Sequence, residues 1–286
     1  MHSYDIQDPV FRSGVEMIDS GDVDALKSHL KNNPTLLKVR THHPNGGYFQ
    51  DPYLIWFVAN NPIRLTRIPP NTVAILETIL KELLKHVPRD YRTQMDYTLA
   101  LVATGSSVRD HGYQIAMMDL LMDAGASVAD CLPAIANNNM EAAGHLVKRG
   151  AVLTLPVAVG LNMTKDVQRL VSKSDDQEKY IALLVAAFLG DEDHVAFFLE
   201  QGVDANLFPP IVNGFHTHGT VLHQAVSSGS IACVKLLVEH GADLKVNDRV
   251  HHASPLDWAA YMMDCSDGVE KQNYREIMNY LQVRSS

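Results

Sequence analysis

The chain is 286 residues long, 46% hydrophobic and 20% charged, with a formal net charge of −9. That length exceeds one ordinary domain and the apolar content is enough for a continuous core. The acidic balance argues against a general nucleic-acid binder.

In chain order, two short apolar faces come first. Val15 and Ile18, then Val23, Leu26 and Leu30, are split by Ser20-Gly21-Asp22, which reads as a helix end followed by a cap. Asn45-Gly46-Gly47 then signals a turn within a long loop. A run YLIWFVA begins at Tyr53, and residues 72–86 read as a long helix. Between them lie residues 60–71, which hold Pro62, Pro69 and Pro70 beside Arg64 and Arg67. Residues 97–105 open a third helical pair that closes with MDLLMDAGASV at 118–128.

The centre is shorter in period. Gly125-Ala126 and Gly150-Ala151 are 25 residues apart, and a further pair spans 155–174, with room for two helices and little loop. IALLVAAFLGDEDHVAFFLEQGVDAN restores a fuller pattern before a long loop at 207–219. From Thr220 the chain reads TVLHQAVSSGSIACVKLLVEHGADLKVND. Thr220 suits an N-cap. Leu222, Ala225 and Val226 make one apolar face at i, i+3, i+4, and Gly229 and Gly241 suit left-handed helix ends. SPLDWAA begins at Ser254, 34 residues after Thr220, and YREIMNYL suits a terminal capping helix.

Thr220 to Asp248 resembles the ankyrin repeat, TPLHxAAxxG followed by LLxxGADxN, and the 34-residue offset matches that repeat's length of about 33. The resemblance implies an all-α fold, an ankyrin-repeat solenoid of stacked helix-turn-helix units forming a single domain over 1–286. About eight units are expected, at 11–45, 52–90, 95–128, 129–152, 153–176, 177–219, 220–253 and 254–284. Inserted early units, short central ones and a His-rich late loop make the array similar to a class of bacterial ankyrin-repeat proteins. The resemblance also implies that His223 hydrogen-bonds within and between repeats, and that Asp257 stands where the motif has its usual histidine.

No GxSxG, phosphate-binding loop, dinucleotide fingerprint or Cys-His spacing is present, so no catalytic residue and no cofactor is assigned. MHSYDIQDPV at the N-terminus has no apolar segment of secretory type. The longest apolar run, 180–189, is too short for a bilayer. Cys131, Cys233 and Cys265 lack CxxC spacing, so reduced thiols buried in helices of a cytoplasmic protein are expected. A monomer without membrane contact is the corresponding expectation.

Of the 14 histidines, His216, His218 and His223 lie within eight residues and His251-His252 follow. His218 and His252 are 34 apart, one repeat, so their loops should be neighbours. Converging imidazoles can bind zinc, but no HExxH or cysteine pair accompanies them, so no metal residue is assigned. A metal- or small-ligand-binding module using these loops is the alternative function. Arg64, Arg67, Arg89, Arg92 and Arg109 read as solvated or paired with Asp90, Asp96 and Asp110. Trp56 and Trp258 hold similar places and suit packing between repeats.

The leading reading is a non-enzymatic scaffold that binds a partner protein through its fingers and concave face. The candidate contacts are His42, Tyr48, Phe49, Phe208, Phe215, His216, His218, Arg249, His251 and His252. Tyr48 and Phe49 have a second reading, as packing on the N-terminal helices. Long loops within compact repeats tend to carry function.

Overall fold

The computed structural model describes residues 5–86, 91–127, 130–210 and 214–285. The chain forms two compact units, Met1–Val152 and Leu153–Ser286. The described residues are helical with no named strand; Arg40 and Tyr53 form an isolated antiparallel bridge.

In the first unit, α1 (Pro9–Ser20) and α2 (Val23–Asn32) are followed by a 3-10 helix at Leu54–Ala59, then α3 (Thr72–His86) and α4 (Tyr91–Thr104). Next come α5 (Ser106–Asp110), α6 (Gln114–Asp123), α7 (Leu132–Ala136) and α8 (Met140–Lys148). Asp8 and Asp22 cap α1 and α2 by accepting free backbone amides. Gly21 ends α1 at φ 72 with its flank closed, since a Cβ there would lie 2.2 Å from the Asn71 side chain. The first elements pack in series, α1 on 54–59, that on α4, and α4 on α7. The second elements do the same, α2 on α3, α3 on α6 and α6 on α8. Each pair thus buries its apolar faces on its neighbours, as repeat stacking requires.

The segment after residue 59 is fixed by polar bonds instead of a helix. Asn60, left-handed at φ 46, donates to the Leu65 carbonyl and, at 2.8 Å, to Ser107 Oγ, and accepts from the Arg64 and Leu65 amides. Arg64 differs from the expected solvated arginine. Its side chain is 2% exposed, stacks on Phe57, donates to the Phe57 carbonyl and pairs with Asp19. Burial lowers its pKa, and Asp19 opposes that shift. Arg109 does pair with Asp110, at 2.8 Å, whereas Asp96 accepts the Ser127 amide. Arg89 and Asp90 lie outside the described residues.

The second unit contains α9 (Leu155–Gly160), α10 (Thr164–Val171), α11 (Asp176–Leu189), α12 (Glu192–Glu200), α13 (Val221–Ser227), α14 (Ile231–Glu239), α15 (Pro255–Cys265) and α16 (Gly268–Ser285). Helices α9, α11, α13 and α15 pack in that order, and α12, α14 and α16 pack behind them. The short period after Gly150 is met by short helices, α9 of six residues and α10 of eight. Leu222, Ala225, Val226, Val234 and Leu237 are all fully buried. Tyr274 of α16 donates to the Ser227 carbonyl at 2.8 Å and closes the stack over α13. Two of the three thiols are buried as expected. Cys265, at the end of α15, is exposed.

Candidate functional site

The local chemistry of the last two helix pairs builds a cavity in the second unit. Thr220 and His223 form a capping box at the start of α13. The Thr220 amide donates to His223 Nδ1 at 3.1 Å, so Nε2 carries the proton and donates to the Ala253 carbonyl at 3.2 Å. His223 therefore ties its own repeat to the next, as the resemblance implied. Burial lowers its pKa, opposed by the Ala253 carbonyl and by Asp248. Ser254 and Asp257 repeat the arrangement at α15, the Ser254 hydroxyl and amide both bonding Asp257 Oδ2.

Asp248 organises the loop between α14 and α15. It is 1% exposed and accepts four donors: the amides of Val250 (2.9 Å), His251 (2.7 Å) and Ala253 (3.2 Å), and the Trp258 indole Nε1 (2.9 Å). Burial alone would raise its pKa, but the bonds from His251, Trp258, Val250 and Ala253 hold it well below the usual carboxylate range. The Arg249 amide donates to the His218 carbonyl at 2.8 Å, so the two neighbouring loops are joined directly.

The His216 and His218 imidazoles lie against Trp258, and His251 lies against His218. Ring centroids are 5.9 Å apart for His216 and Trp258, 5.5 Å for His218 and Trp258, and 5.4 Å for His218 and His251. They border a cavity of about 440 Å³ whose far wall is Tyr261, Met262 and Asp257 of α15. Burial, with the neighbouring His218 and His251, lowers the pKa of His216 and keeps that ring neutral at pH 7. Among the described residues no group of three or more His, Cys, Asp or Glu is arranged to hold a metal ion.

The candidate contacts fall into three groups. His216, His218 and His251 border the cavity, and the Arg249 guanidinium lies 4.0 Å over the Phe208 ring beside them. His252 is exposed in a left-handed conformation, φ 53, and does not border the cavity. Phe215 is corrected to a core position: 7% exposed, it packs edge-on against Phe188 at 5.0 Å. In the first unit His42 points outward beside Asp51, and Tyr48 is 58% exposed with its hydroxyl on Asn61 Oδ1. Phe49 is likewise corrected: it is 1% exposed and packs against Trp56 and Phe57, the packing reading of that loop. Trp56 packs between repeats as expected, 4.3 Å from Tyr97 of α4.

Sequence reasoning did not assign Asp248, Tyr261 or Met262 to a site. One signal was present: Trp258, Tyr261 and Met262 stand at i, i+3 and i+4 and so share a helix face. The organising role of Asp248 had no signal, because its four donors come from a loop path that only the fold creates.

Stacked, capped helix pairs that present side chains on their connecting loops define a repeat protein. The family described as ankyrin repeats (3 copies) matches residues 134–248 and 208–281, just over half of the chain, and the protein belongs to the ankyrin-repeat family. Members of that family generally mediate protein–protein interaction. Ankyrin repeat and SOCS box protein 6 of Mus musculus is 42% identical over 79 residues, 28% of this chain and 18% of that protein. Its Homo sapiens counterpart is 40% identical over the same length. Protein phosphatase 1 regulatory subunit 27 of Homo sapiens is 42% identical over 60 residues, 21% of this chain and 32% of that protein. The matched stretch thus spans under a fifth of the SOCS-box relatives and about a third of the phosphatase regulator. These relatives are mammalian and lend no support to the bacterial subclass. No helix among the described residues is long and apolar enough to cross a membrane.

Proposed function

We propose that this chain is a non-enzymatic protein-binding module and that its second unit takes a partner over Trp258. The observation that carries the reading is the cavity of about 440 Å³ where two repeat loops and α15 meet. Rigid aromatic side chains around a pocket are the usual energetic centre of a protein interface. Arg249, stacked on Phe208, and the outward His252 extend the surface along the same loops. His42 and Tyr48 offer a second contact on the first unit. One relative is named as a regulatory subunit of a phosphatase, a role exerted on another protein, and the reading here is of that general kind. Three unpaired cysteines suit a reducing compartment such as the cytoplasm.

The test is affinity capture with the whole chain, comparing wild type with the triple variant His216→Ala, His218→Ala, His251→Ala. The captured partner is then purified and titrated against both. Loss of binding by a variant whose circular dichroism and melting are preserved supports the site. Undiminished affinity in that folded variant would remove it.

A further inference from the structure

We propose that the cavity over Trp258 receives a cationic side chain, lysine or arginine, from the partner protein. This deepens the protein-binding reading and rests on it.

The charges around the cavity favour a cation. From the loops His216, His218 and His251 face it; from α13 come Ser227 and, behind Trp258, His223; from α15 come Asp257 and Tyr261. Among the described residues no lysine or arginine borders it, and the nearby Arg249 guanidinium is turned onto Phe208. Asp248 is fully occupied by its four donors. Asp257 is not: its two bonds from Ser254 both go to Oδ2, which leaves Oδ1 open at an exposed position. Those bonds from the Ser254 hydroxyl and amide lower its pKa against the opposing effect of burial, so the group is ionised at neutral pH.

The shape favours a long side chain with an apolar stem. Lysine and arginine bury their methylene groups on apolar surface and keep the head at a polar edge. Met262 and Trp258 supply the apolar wall, and Asp257 stands beside them. The faces of Trp258 and Tyr261 attract a cation through their quadrupoles. An acidic side chain would meet Asp257 with like charge, and an aliphatic one would leave its Oδ1 without a partner. The net charge of −9 adds attraction at long range.

The experiment follows the two tryptophan indole N–H signals by NMR in the full chain. Trp258 Nε1 is bonded to Asp248 beside the cavity, and Trp56 is buried in the first unit and serves as the internal reference. The probes are the peptides Gly-Gly-X-Gly-Gly with Lys, Arg, Leu or Glu at X. The Lys and Arg peptides are expected to move the Trp258 signal saturably while Trp56 stays fixed, and the Leu and Glu peptides to move neither. Asp257→Asn keeps the side-chain shape and should weaken the Lys peptide roughly tenfold. Tyr261 is 68% exposed, so Tyr261→Ala leaves the fold intact; it should weaken the same peptide about threefold or more.

Three results would overturn the proposal: no Trp258 shift with either cationic peptide, an equal shift with the Leu or Glu peptide, or full affinity in Asp257→Asn. A partner captured through the three histidines while the cationic peptides fail would end this inference and leave the protein-binding reading standing. Cationic peptides that bind where no partner depends on the histidines would leave the cavity's preference for a cation standing and remove the protein partner as its source.

Discussion

Asp248 Oδ2 accepts the Trp258 indole N–H at 2.9 Å and thereby fastens the last connecting loop to the first turns of α15. The same carboxylate gathers three loop amides, so its removal would orphan four donors at once in a site closed to water. Asp248→Ala should cost about 3 kcal/mol or more, because each unsatisfied buried donor carries its own desolvation penalty. Asp248→Asn can still accept, though more weakly, and should cost roughly half of that. Urea unfolding gives the stabilities, and Trp258 fluorescence tells whether the cavity wall has moved. A wild-type midpoint in Asp248→Ala would mean that the loop is held by something else.

His223 makes the second unit sensitive to acid. Its pKa in the folded chain is lowered, chiefly by burial, and the Thr220 amide already occupies Nδ1. A histidine whose folded pKa is depressed contributes its full stability above the unfolded value. That stability is lost as the pH falls from about 6.5 toward the folded pKa, since the unfolded chain takes up the proton first. His216 has a shift of the same sign from burial and from its imidazole neighbours. The melting temperature should therefore drop between about pH 7 and about pH 5. His223→Gln should be less stable than wild type at neutral pH but should lose less on acidification. Parallel pH profiles for the two proteins would contradict the assignment.

His194 behaves in the opposite way. Its Nδ1 lies 2.6 Å from Asp191 Oδ2, and that bond raises its pKa over the opposing effect of burial. Asp191 is lowered, first by the His194 side chain. The histidine's contribution is present below about pH 6.5 and lost as the pH rises through its raised pKa. The carboxylate's contribution is present above about pH 3.9 and lost as the pH falls. His194→Gln should thus cost about 1–2 kcal/mol near pH 6 and less at pH values well above that. Equal costs at both ends would show that the ion pair contributes nothing.

Residues that act on their neighbours in sequence were legible from the chain alone. Thr220 with Val221 to Val226, the turns at Gly229 and Gly241, and the late repeat spacing all report local geometry, and the structure follows them. Fingertip positions were harder. In sequence Phe49 admits both a contact and a packing reading and Phe215 reads as a loop contact, yet each is drawn into the core by an aromatic residue from another element, Phe57 and Phe188 respectively. Arg64 found Asp19, 45 positions earlier, instead of a carboxylate nearby. The cavity itself joins residues from two loops and one helix. Only its Trp258–Tyr261–Met262 face could be read as a pattern.

The three cysteines should differ sharply in reactivity. Burial, with the Asp130 carboxylate, pushes the Cys131 thiol up to about 11, and burial also raises Cys233. Only the thiolate attacks an alkylating reagent, so both should resist at pH about 8 in the folded chain. Cys265 is exposed and has open access. Iodoacetamide on the native protein, followed by peptide mass mapping, should label Cys265 first, with the other two reacting only on denaturation. Early labelling of Cys131 or Cys233 would mean that its helix opens readily.

The buried pair Arg64–Asp19 tests how the early insertion is held. Arg64 is almost wholly enclosed, with its guanidinium on Phe57, on the Phe57 carbonyl and on Asp19, which is itself 17% exposed. Removing one member of such a pair leaves an uncompensated charge out of water, so Asp19→Ala should destabilise by roughly 3 kcal/mol or more. Replacing both, as in Asp19→Leu with Arg64→Met, removes the charge while keeping apolar volume, and should recover much of that loss. Denaturant titrations of wild type, both single variants and the double variant make a complete cycle. If the double variant were as unstable as the sum of the singles, the two side chains would be energetically independent. The insertion would then be held by Asn60, which reaches Leu65 and Ser107 without either of them.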